Sequence, residues 1–97
     1  MEDVRFEWDN RKNLSNQRKH GVSFEEARTA FLDENARLIA DPDNSEEEDR
    51  FILLGLSIRL RLLVVCHCYR EDDRVIRLIS ARKADPSERR DYARWLP

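Results

Sequence analysis

The sequence predicts an α+β fold: two N-terminal helices on an antiparallel sheet, with a further helix at the C-terminus. Three observations carry this. Two helix-start signals lie in the first third, three apolar runs with short polar connections occupy residues 51–81, and a third helix start follows at Asp85. A chain of 97 residues has apolar surface for one core, so residues 1–97 are expected to form a single domain.

Val4 to Trp8 alternates weakly and reads as a short first strand. Asp9 is a good N-cap, and Arg18-Lys19-His20-Gly21 marks a helix end, giving a helix from about Asn10 to His20. Leu14 is its one aliphatic residue, so burial does not explain it. Lys12, Asn16, Lys19 and His20 share one face at i, i+4, i+7 and i+8, forming a stripe of donors. That stripe is either a solvated face or a phosphate-binding one. Ser23-Phe24-Glu25-Glu26 reads as a capping box opening a second helix that runs to about Asp33 and packs through Phe24, Ala27 and Phe31. A short strand over 36–40 leads into an exposed acidic loop over 41–49. Strands follow at about 51–57, 62–69 and 74–81, and Asp85, Pro86 and Glu88 cap the terminal helix.

Parity assigns the sheet faces. Even positions (Ile52, Leu54, Leu56, Leu62, Val64, Cys66, Cys68, Ile76, Leu78) are all apolar or thiol, so this face is expected under the helices. Odd positions are mixed and carry His67, Tyr69 and Arg77, with Gly55 leaving room above them. Pairing His67 with Arg77 and Tyr69 with Val75 keeps these polar residues together and requires an odd-numbered loop around Glu71–Asp73, with a left-handed Asp72 or Asp73. The same reasoning places Phe51 near His67. A polar cluster on such a face suits a polar partner, although a packed, hydrogen-bonded His67 and a merely capping Glu88 are the plain readings.

Net charge is −2, but residues 1–48 balance at −6 and residues 49–97 at +4. A basic C-terminal half can attract phosphates in an acidic chain. No apolar run reaches the ~18 residues of a membrane helix, and the acidic Met1-Glu2-Asp3 start is unlike a signal peptide. Cys66 and Cys68 are too close to pair comfortably, so a cytoplasmic location is expected. Alternation sends the Cys66 and Cys68 thiols away from His67, which opposes a zinc site. The acidic loop lacks the glycine and terminal Glu of a calcium loop. No cofactor is expected. Metal-free RNA cleavage is feasible, because RNA carries its own 2′-hydroxyl nucleophile and arginine forks bind phosphate bidentately.

Phe6-Glu7-Trp8-Asp9, Lys12, Asn16, Lys19-His20-Gly21-Val22-Ser23-Phe24-Glu25-Glu26-Ala27, Glu48, Arg50, Gly55-Leu56-Ser57, Ile76 to Ala84, Glu88-Arg89 and Tyr92 together resemble the BrnT family. The resemblance covers about residues 6–92. It departs at Cys68, where members often have Thr, and at Leu60, where glycine is common. It implies a RelE-like fold, ribonuclease activity in a type II toxin–antitoxin system, and a DNA-binding antitoxin partner, BrnA. On this reading Arg77, Arg82 and Lys83 bind the scissile phosphate, His67 or Glu88 moves protons, and Tyr92 orients the RNA. Lys12, Asn16, Lys19, His20 and Arg89 would contact RNA backbone, or the helix stripe would contact the antitoxin. The rival is a non-catalytic RNA- or protein-binding regulatory module using the same surface.

Overall fold

A computed structural model describes residues 4–41 and 49–97. In order, the chain forms β1 (Arg5–Glu7), α1 (Asn10–His20), α2 (Phe24–Thr29) with a 3-10 turn over Ala30–Leu32, and β2 (Arg37–Ala40). Then come β3 (Arg50–Leu56), β4 (Leu62–Arg70), β5 (Val75–Lys83) and α3 (Pro86–Arg94). The five strands make one sheet in the order β1-β5-β4-β3-β2. Strands β2 to β5 pair antiparallel, whereas β1 lies parallel to β5. The sheet is therefore mixed rather than purely antiparallel. The expected acidic loop falls mostly on 42–48, outside the described residues; its first residue, Asp41, is buried rather than exposed.

The helix signals act as their chemistry requires, with two departures. Asp9 accepts from the Arg11 and Lys12 amides, and Gly21 closes α1 at φ 68°, a left-handed position that suits glycine. Asp85 and Glu88 form a complete capping box. The Ser23 box forms only in half: Ser23 accepts from the Glu26 amide, but the Glu26 side chain turns inward. There it accepts from the Ser57 hydroxyl and from the Arg61 guanidinium, which also donates to the Gly21 carbonyl. The second departure is α1, which buries asparagines. The Asn13 carbonyl accepts from the Phe24 amide and its NH2 donates to Glu25. Asn16 donates to the Val22 and Ala81 carbonyls and accepts from the Ala81 amide. Asn16 thus imitates a strand partner on the β5 edge, beyond the point where β1 stops.

The faces of β3 and β4 are the reverse of the expectation, whereas Ile76 and Leu78 of β5 do lie under the helices as expected. The core joins Val22, Phe24, Ala27 and Ala30 to Leu53, Leu63, Val65, Ile76, Leu78 and Ala81. Odd positions of β3 and β4 therefore lie under α1 and α2. Each fully buried side chain such as Phe24 or Leu63 contributes about 1.5–3 kcal/mol. Gly55 leaves no open space: a Cβ there would meet the Ala30 carbonyl oxygen at 2.8 Å, because the 3-10 turn presses on β3. Phe51 pairs with His67, as expected.

The β4–β5 register departs twice from the expected one: the turn sets Arg70 opposite Val75, which breaks the parity, and a bulge then adds a second step. Cys66 pairs with Ser80, but the next residue, His67, pairs with Leu78, so Ile79 is extra. His67 is therefore not opposite Arg77; Arg77 pairs with Cys68, Ile76 pairs with Tyr69, and the two polar residues occupy opposite faces. The connecting turn has four residues between Arg70 and Val75, not an odd number, and Glu71, Asp72 and Asp73 all adopt positive φ. A one-residue slip in such a turn flips every side chain beyond it.

Candidate active site

His67 sits at 0% exposure under the helices. Its ring meets Phe31 edge-on at 4.8 Å, with Tyr69 at 5.3 Å and Phe51 at 6.2 Å. Nδ1 lies 3.0 Å from the Val65 carbonyl, which can only accept, so Nδ1 carries the proton. Burial holds the imidazole below its ordinary pKa. This is a neutral core histidine with no access to a substrate. The proposed partnership of His67 with Arg77 does not exist in the fold.

The opposite face is open where α3 does not cover it. Paired residues share a face, so Arg82 (opposite Val64), Ser80 (opposite Cys66) and Arg77 (opposite Cys68) all project there. Arg82 meets Glu88 of α3 in a bidentate pair, both bonds 2.8 Å. The same carboxylate accepts from the Asp85 amide, so the helix cap fixes it and it in turn fixes the arginine fork. The Arg82 hydrogen bonds hold Glu88 below the usual carboxylate range and hold Arg82 charged. Beside the pair lies a cleft of about 280 Å³ lined by Asp41, Arg50, Cys66, Ser80 and Arg82 over a floor of Ile52, Val64 and Ile79. Burial, followed by the Asp41 carboxylate, pushes the Cys66 thiol up, so it is no activated nucleophile. A larger depression of about 630 Å³ near the β4–β5 turn sets Asp49 and Asp73 against one arginine, Arg70, whereas the cleft sets Arg50 and Arg82 against one carboxylate, Asp41.

The other expected site residues scatter. Arg77 shares the open face but is tied to Glu7 at 2.9 Å. Lys83 pairs with Leu63 and so points to the helix side, away from its neighbour Arg82. Tyr92 is buried, and its hydroxyl donates to Asp33 at 2.5 Å. Burial and then that bond push Tyr92 up to about 12. Asp33 stays below its ordinary value despite burial, because Tyr92 and the Leu56 and Asn35 amides donate to it. Asn16 is committed to the sheet edge, whereas Lys12, Lys19, His20 and Arg89 are exposed. Asp41, Arg50, Cys66 and Ser80 were not among the expected site residues. Counting the bulge into the pairing of Cys66 with Ser80 is the signal that would have collected them.

Fold and cleft define a small α+β protein with a guanidinium-lined recess on its open sheet face. The family model described as ribonuclease toxin, BrnT, of type II toxin-antitoxin system matches residues 8–88, and the chain belongs to that family. Its fold is similar to the 1.1 Å crystal structure of the Brucella abortus ribonuclease toxin, BrnT. That match has a TM-score of 0.61 at 21% identity over 88% of this chain and 99% of the other. A search of curated proteins finds no match. Among the described residues, no helix is long and apolar enough to cross a membrane.

Proposed function

We propose that the protein is an endoribonuclease toxin of RelE-like architecture that cuts RNA without a metal ion. The observation that carries this reading is the bidentate Arg82–Glu88 pair beside the sheet-face cleft. A phosphodiester presents the same paired oxygens as a carboxylate, so it competes with Glu88 for the Arg82 fork. Arg50, across the cleft, adds a second positive charge. Exchange of Arg82 from Glu88 to phosphate removes the main influence that keeps the Glu88 pKa low. Glu88 then takes the proton of the 2′-hydroxyl as its oxygen attacks phosphorus. The P–O5′ bond breaks, the leaving oxygen takes a proton from water, and the hydroxide so formed takes the proton held on Glu88, which restores the carboxylate. The products carry a 2′,3′-cyclic phosphate and a 5′-hydroxyl. In this reading Arg77, once released from Glu7, and Arg89 beside Glu88 take flanking phosphates, and His67 and Tyr92 serve the fold.

A type II toxin implies a protein antitoxin, and we take it to be a DNA-binding, BrnA-like chain. The test is incubation of purified protein with RNA in EDTA, followed by analysis of the ends. New 5′-hydroxyl ends are expected. Binding without new ends would instead support a regulatory module.

A further inference from the structure

Helix α1 carries Arg11, Lys12, Arg18 and Lys19 and no acidic residue. All four are exposed, and none makes a salt bridge or side-chain hydrogen bond among the described residues; the exposed Arg28 and Arg74, elsewhere in the chain, lie apart from one another rather than on one helix face. The chain's net charge is −2, so this one helix stands four positive charges above a remainder that is net negative. Two carboxylates flank the helix, and both are engaged: Asp9 caps the first amides, and Glu25 accepts from Asn13. Arg18 and Lys19, in the last turn, suit the helix dipole. Arg11 and Lys12 stand in the first turn, where the dipole disfavours cations and the capping Asp9 carboxylate offsets only part of their charge. The helix's own stability does not call for cations there.

Asn13 and Asn16 point inward, so helical spacing turns Arg11, Ser15 and Arg18, with Lys12 and Lys19 beside them, toward solvent. Pairs seven residues apart are about 10 Å apart along the axis. Leu14 is the one exposed apolar side chain on the helix. A protein interface needs an apolar anchor cluster, whereas a run of Arg, Lys, Ser and Asn donors suits phosphate and sugar. Asn16 binds Ala81, one residue before Arg82, and the exposed Lys83 follows on the α1 side of the sheet. The basic surface thus wraps around the β5 edge toward the cleft.

We propose that the outer face of α1 is a second RNA-binding surface that takes the backbone of RNA extending beyond the cleft. It deepens the ribonuclease reading and rests on it for the identity of the ligand. The probe is a 20-nucleotide, fully 2′-O-methyl RNA, which lacks the 2′-hydroxyl nucleophile; binding is followed by fluorescence anisotropy across a salt series. The variants are R11Q/R18Q, K12Q/K19Q and their combination, with R28Q/R74Q as a control of equal charge change. Glutamine has nearly the helix propensity of Arg and Lys. Each phosphate contact on single-stranded RNA contributes ~0.7 to the slope of log K against log salt. Each α1 double should therefore flatten the slope by about 1.4 and the quadruple by roughly 2.8, with affinity falling at least tenfold in the quadruple. The control should leave the slope near its original value. Equal losses in α1 and control variants, or no loss in the α1 variants, would overturn the proposal. The probe cannot be cut, so a protein that binds it through α1 but cleaves no RNA would defeat the ribonuclease reading alone.

Discussion

Replacing Asn16 with Leu separates a sheet-edge role from an RNA-binding one. Leucine keeps the volume and removes three hydrogen bonds, leaving the Ala81 amide, the Ala81 carbonyl and the Val22 carbonyl buried without that partner. At about 1–1.3 kcal/mol for each net bond, the loss is about 3–4 kcal/mol. That is a large share of the ~5–15 kcal/mol that holds a typical domain. For a chain of this size it lowers the melting temperature by roughly 12–30 °C. Asn16→Asp should be at least as harmful: a carboxylate still accepts from the Ala81 amide but faces two carbonyl oxygens with no proton to give. Urea titration and thermal melts of both variants provide the measurement. A loss below about 1 kcal/mol in Asn16→Leu, well under one net hydrogen bond per broken contact, would refute the edge-capping argument.

Three further outcomes follow from the same structure. The folded pKa of His67 lies below its ordinary value, so the unfolded chain binds a proton that the native one refuses. Stability contributed by the neutral ring is intact above about pH 6.5 and falls as pH drops from there toward the folded pKa, by up to ~1.4 kcal/mol per unit. His67→Phe should flatten that part of a pH-stability curve; an unchanged slope would contradict the burial argument. Arg61 first, and Ser57 after the opposing effect of burial, hold the Glu26 carboxyl below its usual range. Its stabilisation is present above the unfolded carboxylate pKa and is lost as pH falls through the folded one. Arg61→Ala should cost about 1.5–3 kcal/mol in urea titration, since the buried Glu26 carboxylate loses its main charged donor and keeps only Ser57 and the more distant Arg59. Co-expression with a cognate antitoxin should give a complex that co-purifies and suppresses RNA cleavage; two folded proteins that do not associate would oppose the partner assignment.

Most elements were legible because their signals are local. Asp9, Ser23 and Asp85 accept from amides two or three residues on, and the Gly21 amide donates to the Gln17 carbonyl four residues back; those contacts form whatever the tertiary arrangement. The face assignment failed because both faces of β3 and β4 are apolar. Leu54 and its even neighbours also need cover, and Leu54 lines a groove with Asp91, Arg94 and Trp95 of the α3 end. Periodicity alone could not say which helices take which face. The four-residue turn after Arg70 then shifted β5 by one position and the bulge at Ile79 by one more, and neither has a glycine to announce it. For the candidate site, Arg82 and Glu88 were reachable because six residues of local chain and a capping box join them. Asp41, Arg50 and Cys66 were not, because only long-range pairing brings them to the cleft. Asn16 looked like a surface donor because asparagine rarely forms the buried side of a helix.

In the proposed mechanism RNA is cut on the open sheet face, and His67 takes no part in the chemistry. The direct measurement is single-turnover RNA cleavage by Arg82→Ala and His67→Phe, each verified as folded by circular dichroism. Arg82→Ala should lose about 10²–10³-fold in rate, the usual effect of removing a donor to a developing phosphate charge, while His67→Phe should cut at close to the original rate. Cleavage that persists in Arg82→Ala and vanishes in folded His67→Phe would contradict the account and move the chemistry to the other face of the sheet.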